Sequence, residues 1–354
     1  MKRAALLTIT WATVAACDGS QINPLPADGG IQGGSLVKGF GLSPFHFPID
    51  YSKLADFYTE VGAQPDSGVM WNGAWRDDAF GGSDAGTVPA AAQALIAAAP
   101  ANHFSPITVF GWRSGNTLLI TIPGSPTNDW SNQAARSTFQ SMLVRFVKTS
   151  AVPFVFLGNE NDFYYEESPT DYANWISAYN STYTAIKAAS PGTLVGPVFN
   201  VEHMSGKGVL NGWSKPLWQA IDAHDMSKVD VIGITLYPFF AEASASSVPV
   251  SYLDELLTHT QGKPIAITET GWPAENLGGL DPTWETSPAA QVTYLASLGA
   301  LLHGKNVKLV DWLFLNAEVD PTMSLGWKLF GSISLRDMNG AERPAYATWR
   351  TFAP

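Results

Sequence analysis

Two glutamates follow directly on apolar, β-type runs: Phe154-Val155-Phe156-Leu157-Gly158-Asn159-Glu160 and Pro264-Ile265-Ala266-Ile267-Thr268-Glu269. An ionisable group leaving a hydrophobic strand is costly unless it reaches an open pocket or a partner. Two such groups facing one opening can divide a task. One carboxyl, kept protonated, donates to a leaving oxygen, while the other, ionised, attacks from the opposite side. Cleavage of a glycosidic bond needs that pair and no cofactor. A lone Asn-Glu pair recurs by chance in helices and loops; the second glutamate, placed in the same way at another strand end, is what gives the first its weight.

The elements that must position such a pair can be read from the hydrophobic pattern. Eight β-type runs, at 36–42, 68–71, 117–122, 153–157, 193–198, 229–236, 264–268 and 307–315, alternate with amphipathic stretches at 52–61, 88–99, 132–149, 172–189, 215–224, 251–260, 289–302 and 345–351. Start signals support several helices, among them Ser168-Pro169 and Ser287-Pro288, where a hydroxyl can cap and a proline can occupy the first turn. The expected fold class is α/β, a single (β/α)8 TIM barrel over residues 35–354. In a doubly wound sheet, the rival, a Gly-rich phosphate fingerprint would follow the first strand, and none does. The apolar run 107–112 fits no strand in this scheme and is assigned to an insertion before the third strand. In such a barrel, chemistry gathers at the carboxyl ends of the strands, where both glutamates fall.

At this point the motifs become specific. Gly158-Asn159-Glu160 after the fourth run and Thr268-Glu269-Thr270-Gly271-Trp272-Pro273 after the seventh resemble the two signatures of glycoside hydrolase clan A. The stretch from Asp230 to Phe239, ending Thr235-Leu236-Tyr237-Pro238-Phe239, is similar to the sixth-strand motif of the family 53 endo-β-1,4-galactanases. The string around Glu269 also resembles the nucleophile segment of the family 17 β-1,3-glucanases, and 330–346 looks like the clan's closing turn before the last helix. The resemblance implies Glu160 as general acid and base, Glu269 as nucleophile, Asn159 as donor to the sugar 2-hydroxyl, and Tyr237 as the partner that orients Glu269. It also implies carboxyl groups about 5–5.5 Å apart and hydrolysis with retention. Trp272, Trp312, Trp71 and Asn72 are further substrate-binding candidates, with Trp312 chosen over Phe314 as the lumen-facing ring of the eighth strand. Trp75, Trp112 and Trp130 are weighed as extensions of the cleft against the ordinary role of a buried ring. Two departures stand out. The clan's arginine at the end of strand two has only Arg76, several residues late, and Thr121-Ile122-Pro123-Gly124-Ser125 lacks the galactanases' third-strand cluster, so galactan is not assumed.

Composition agrees with a sugar-active protein. Thirteen Trp, eleven Tyr and eighteen Phe exceed what a core of 354 residues needs, so some rings are expected to present flat faces to a ligand. The net charge is -11 and no basic run appears, which excludes nucleic acid as a partner. The six histidines show no metal-ligand spacing, and no cofactor or metal is expected. Residues 1–16 read as an export signal, and Val14-Ala15-Ala16-Cys17 resembles a bacterial lipobox, implying lipidation of Cys17 and a membrane anchor in the cell envelope. A plain secretory cut near Ala16 gives the alternative, a soluble secreted protein. Residues 17–34 read as a flexible tether. The expected activity is endo-hydrolysis of a β-linked polysaccharide or oligosaccharide. The alternatives are a transglycosylase using the same intermediate and a silent glycan-binding barrel.

Overall fold

The computed structural model describes residues 36–44, 51–75, 87–114, 117–120, 127–150, 152–277, 279, 282–317 and 324–354. Cys17, the signal and tether segments and Arg76 lie outside the described residues. Eight parallel strand positions close on themselves: β1 (Val37–Gly41), β2 (Ser67–Ala74), β3 (Ser105–Gly111), β4 (Phe154–Leu157), β5 in two pieces (Leu194–Gly196 and Val198–Asn200), β6 (Ile232–Leu236), β7 (Ile265–Thr270) and β8 (Val307–Trp312). The ring closes because β1 pairs with both β2 and β8, and because the first piece of β5 pairs with β4 while the second pairs with β6. Pro197, which has no N–H to give, separates the pieces, and its carbonyl accepts the Gly233 N–H at 2.8 Å. The expected (β/α)8 barrel is the observed fold.

Alternation along each strand sorts the core into two layers. Val37, Met70, Ile107, Val109, Phe154, Phe156, Val198, Val231, Ala266 and Leu309 fill the lumen. Their neighbours, including Phe40, Val69, Trp71, Phe110, Val155, Ile234, Ile267, Val310 and Trp312, pack outward against the helices. Those helices include Leu54–Gly62, Ala90–Asn102, Gln133–Thr149, Pro169–Ala189, Asp254–His259, Pro288–Leu302 and Pro344–Arg350. Their starts follow local chemistry: the Asn132 side chain accepts the N–H groups of Ala134 and Ala135, and Ser287 accepts that of Ala290 with Pro288 in the first turn.

One strand expectation is corrected. The third barrel strand is Ser105–Gly111, built from the run that had no place in the sequence scheme, whereas Thr117–Leu118 forms a two-residue antiparallel hairpin with Arg113–Ser114. Both runs are apolar. Only the first can be buried on both faces between the lumen and the helices, which is what a parallel barrel strand requires. The end of β3 is therefore Phe110-Gly111-Trp112-Arg113, and the ground for setting galactan aside, read from 121–125, falls with the misplaced strand.

Candidate active site

The carboxyl ends of β2, β4, β5, β6 and β7 bring the site together. Glu269 sits on β7 at a register shift between Ile267 and Glu269 against β6. This bulge re-aims the chain. Ala266 faces the lumen and Ile267 the helices, and Thr270 again faces outward, its hydroxyl 2.6 Å from that of Tyr294 on an outer helix. Between them Glu269 points inward and is only 3% exposed. Its Oε1 accepts from Asn72 Nδ2 at 2.8 Å and from Asn159 Nδ2 at 3.4 Å, and its Oε2 accepts from the Tyr237 hydroxyl at 2.9 Å.

Glu160 follows β4 through a tight turn. Gly158 has φ 77°, and a Cβ there would come within 2.1 Å of Asn161 Oδ1 and 2.9 Å of Trp112 Nε1. Glu160 itself has φ 49°, a left-handed conformation that costs a non-glycine residue on the order of 1–3 kcal/mol. Such strain persists where surrounding contacts enforce it. Here Glu160 Oε1 accepts from Asn200 Nδ2 at 2.9 Å and from the Thr235 hydroxyl at 2.8 Å. Both donors go to one oxygen, which leaves Oε2 free to carry a proton.

Burial, and next the mutual repulsion of the two carboxyl groups, pushes Glu269 up to about 8, against the pull of its three donors. Burial first and Asp162 second also raise Glu160, while Asn200, Thr235 and His203 pull it down. The two groups titrate as a pair sharing a proton. Two amide N–H groups and a phenol surround Glu269 and favour its ionised form, against an amide N–H and a hydroxyl on Glu160.

Other carboxyls form a buried frame. Glu202 is raised by burial to about 7; it accepts the Tyr237 N–H and the Tyr252 hydroxyl, each at 3.0 Å. Asp311 on β8 faces the lumen beside Gly39, where a Cβ would meet its Oδ1 at 2.5 Å. Burial, and next the charge of Glu269, raises Asp311 well above the carboxylate range. Among the described residues no group of three or more His, Cys, Asp or Glu is placed to hold a metal ion.

Of the eight residues singled out for substrate or catalysis, Glu160, Glu269, Asn159, Tyr237 and Asn72 converge. The three tryptophans do not. Trp71 alternates with the lumen residues Met70 and Asn72, faces outward and packs edge-on against Phe110 at 5.2 Å. Trp312 lies between Tyr294 and Trp349 on the outer helices and donates to the Ile333 carbonyl at 2.9 Å; Asp311, its neighbour, takes the lumen face. Trp272 is buried against Phe239 and Tyr294 and donates to the Glu285 carbonyl at 2.8 Å, a loop anchor in place of the expected sugar platform. Trp75, Trp112 and Trp130 are likewise buried, the last two packed with Trp175 beneath the helices. Half-buried Phe163, Trp213, Trp284 and Phe330 instead line the side of the mouth formed by β4 to β7, joined through the buried ring of Phe240. Phe163 contacts Trp213, Trp213 contacts Phe240, and Phe240 contacts Trp284 and Phe330, the last standing edge-on to Tyr237 at 5.2 Å.

Sequence reasoning missed Asn200, Thr235, Glu202, Asp162 and Asp311. Alternation was the available signal for two of them: Thr235 lies two residues before Tyr237 on β6, and Asn200 two after the lumen residue Val198. The predicted fifth strand, however, stopped short of Asn200.

The family described as glycosyl hydrolase family 53 matches residues 135–320. No curated protein matches the chain. Among solved structures, the chain is similar to the exo-β-1,4-mannosidase Op5Man5 from Opitutaceae bacterium strain TAV5, with 16% identity, a TM-score of 0.64, and coverage of 90% of this chain and 59% of that one. It therefore spans under two thirds of that protein's length. A GH5_18 protein from Streptomyces cattleya, in complex with GlcNAc, shares 16% identity at a TM-score of 0.65, covering 90% of this chain and 82% of that one. A β-1,3-glucanosyltransferase from Rhizomucor miehei, in complex with laminaritriose, shares 13% identity at 0.56, covering 87% and 96%.

Proposed function

The chain belongs to glycosyl hydrolase family 53, and is on that ground an O-glycosyl hydrolase; from this premise we propose that it cleaves β-linked glycans with retention through a covalent glycosyl-enzyme intermediate. Glu269 attacks the anomeric carbon as the glycosidic bond breaks, and Glu160 delivers its proton to the leaving oxygen. Glu160 then takes a proton from water, which displaces Glu269 from the sugar. Tyr237, Asn72 and Asn159 hold the nucleophile ionised and aimed.

The observation that carries this reading is the unequal hydrogen bonding of the two glutamates. Glu269 receives donors on both oxygens, while Glu160 receives both of its donors on Oε1. The test is to incubate the protein with β-glucans, galactans, mannans and xylans, size the products, and follow the first-formed anomer by proton NMR. Release of β-anomer from a β-linked substrate supports retention; initial α-anomer overturns it. Products longer than the substrate would make the chain a transglycosylase, and no turnover on the panel by a chain that binds one of the glycans would favour the silent binding barrel. The half-buried ring wall favours an extended, polymeric substrate and hence endo action.

We further propose, from the sequence of residues 1–17, export followed by lipidation at Cys17. Mass spectrometry of the amino-terminal peptide of the protein expressed in a bacterium tests it. An acylated cysteine is expected, and an unmodified terminus near Cys17 would make the protein a soluble secreted one.

A further inference from the structure

Beside Glu160 lies an ionisable cluster that bond cleavage does not itself use. Asp162 is fully buried; it accepts the Asn200 N–H at 2.8 Å and meets His203 Nδ1 at 2.7 Å. The other ring nitrogen, Nε2, lies 3.1 Å from Oε2 of Glu166, whose side chain is 55% exposed. An imidazole whose two nitrogens both face carboxyl oxygens satisfies both only by donating from both, that is, as imidazolium. The ring is fixed in place, stacked on Phe163 at 3.8 Å and met edge-on by Trp213 at 5.2 Å. Asn200 joins the cluster to Glu160: its N–H goes to Asp162, its Nδ2 to Glu160, and its Oδ1 accepts the His203 N–H at 2.9 Å.

We propose that His203 is a positioning residue for Glu160, its imidazolium offsetting the charge of Asp162 and its backbone orienting Asn200, so that Glu160 can release its proton in one half-reaction and recover it in the next. The inference rests on the acid and base reading of Glu160. The electrostatics run the same way. Asp162 raises Glu160 and His203 lowers it. Burial works against charge on His203, but the hydrogen bonds and charges of Asp162 and Glu166 outweigh it, and the net shift is upward. Glu160 is also faced by Arg113 from the end of β3, Glu202 from the segment after β5, Tyr237 after β6 and Glu269 on β7. Arg113 is spent chiefly on Glu167, 2.6 Å away, which leaves His203 as the cation in contact with Asp162.

The sign of the effect separates this role from a merely structural one. Without the imidazolium, Asp162 loses the cation in contact with it and keeps only the weaker pull of Arg113, so Glu160 keeps its proton to higher pH; without the Asp162 charge, the reverse holds. The experiment is a carboxyl carbon-13 NMR titration of the full chain in a Glu269→Gln background, with the Glu160 resonance assigned by its loss in Glu160→Gln. His203→Gln is expected to raise the Glu160 midpoint by about one pH unit, and Asp162→Asn to lower it by a similar amount. Glu166→Gln, at an exposed side chain, raises it by less and serves if His203→Gln does not fold. An unmoved midpoint in these variants, or movement of His203→Gln and Asp162→Asn in the same direction, overturns the proposal. The titration uses no substrate, so its result stands apart from whether Glu160 protonates a leaving group. That question is decided by the kinetics of Glu160→Ala.

Discussion

Glu269 is gripped by neutral donors from three strand ends, those of β2, β4 and β6, whereas Glu160 hangs from a strained turn with both donors on one oxygen and a buried Asp162 and His203 beside it. The first setting suits a group that must stay ionised in a fixed direction while a sugar carbon approaches. The second suits a group that must change protonation state twice in each turnover. Burial raises both carboxyls, so burial alone cannot assign their roles. The proposed assignment rests on the pattern of donors.

The comparison breaks most visibly at Glu269, the proposed nucleophile. Glu269→Gln keeps the size of the side chain and removes the attacking oxygen anion, and is expected to lower kcat by roughly 10⁵-fold with little change in Tm. Reducing-sugar release and a thermal melt on the same sample check both halves. Comparable loss of fold and activity together would mean that Glu269 is a structural group. Next comes Glu160→Ala, which should slow substrates with poor leaving groups by about 10²–10⁴-fold while activated aryl glycosides keep most of their rate of bond cleavage. Equal losses on the two substrate types would remove the acid role from Glu160 and leave the asymmetry between the glutamates unexplained.

The barrel was legible because parallel strands buried on both faces leave long apolar runs, and because the helices between them carry ordinary caps. Seven of the eight strand positions follow from that pattern. β3 did not, since 107–112 and 117–122 look alike until the barrel needs one of them. The two glutamates were legible as strand-end acids, although strict alternation from Ala266 would have turned Glu269 toward the helices. Only the bulge in β7 returns it to the lumen, and no residue type in Ile265–Thr270 announces a bulge. The tryptophans misled for a related reason. Ring count does not say which face of a strand a ring occupies, and one step of alternation exchanges Trp312 for Asp311 and Trp71 for Asn72. His203 and Asp162 carry no spacing signal, because their contact depends on how the segment after β5 folds back over the turn after β4.

Tyr237 sharpens the comparison from the nucleophile's side. Tyr237→Phe removes one donor from Glu269 and leaves the ring's packing on Phe239 and Phe330 in place. A hydrogen bond to a charged group contributes about 1.5–3 kcal/mol, so kcat/KM should fall by roughly 10- to 100-fold. That hydrogen bond lowers the proton affinity of Glu269, so without it the acidic limb of the pH profile should move to higher pH. A fall in rate with an unmoved acidic limb would show that the phenol acts on the substrate and not on Glu269.

The smallest effect concerns the frame beneath both glutamates. Glu202 is raised by burial to about 7 from its ordinary value near 4.5. Between those values the folded chain holds a proton that the unfolded chain has released. The resulting stability is fully present below about pH 4.5 and is lost as pH rises through 7, at up to about 1.4 kcal/mol for each pH unit. Glu202→Gln keeps an acceptor for the Tyr237 N–H and the Tyr252 hydroxyl but has no proton to lose, so its Tm should fall less between pH 5 and 7 than that of the parent. The Glu160–Glu269 pair, raised together by burial, contributes a slope of the same sign in both proteins, which makes the difference between the two melting curves, and not either curve alone, the measure of Glu202. Parallel curves would mean that Glu202 is already ionised in the fold, with the N–H of Tyr237 and the hydroxyl of Tyr252 sufficient to hold its charge. The floor of the site would then resemble the surroundings of Glu269 more than those of Glu160.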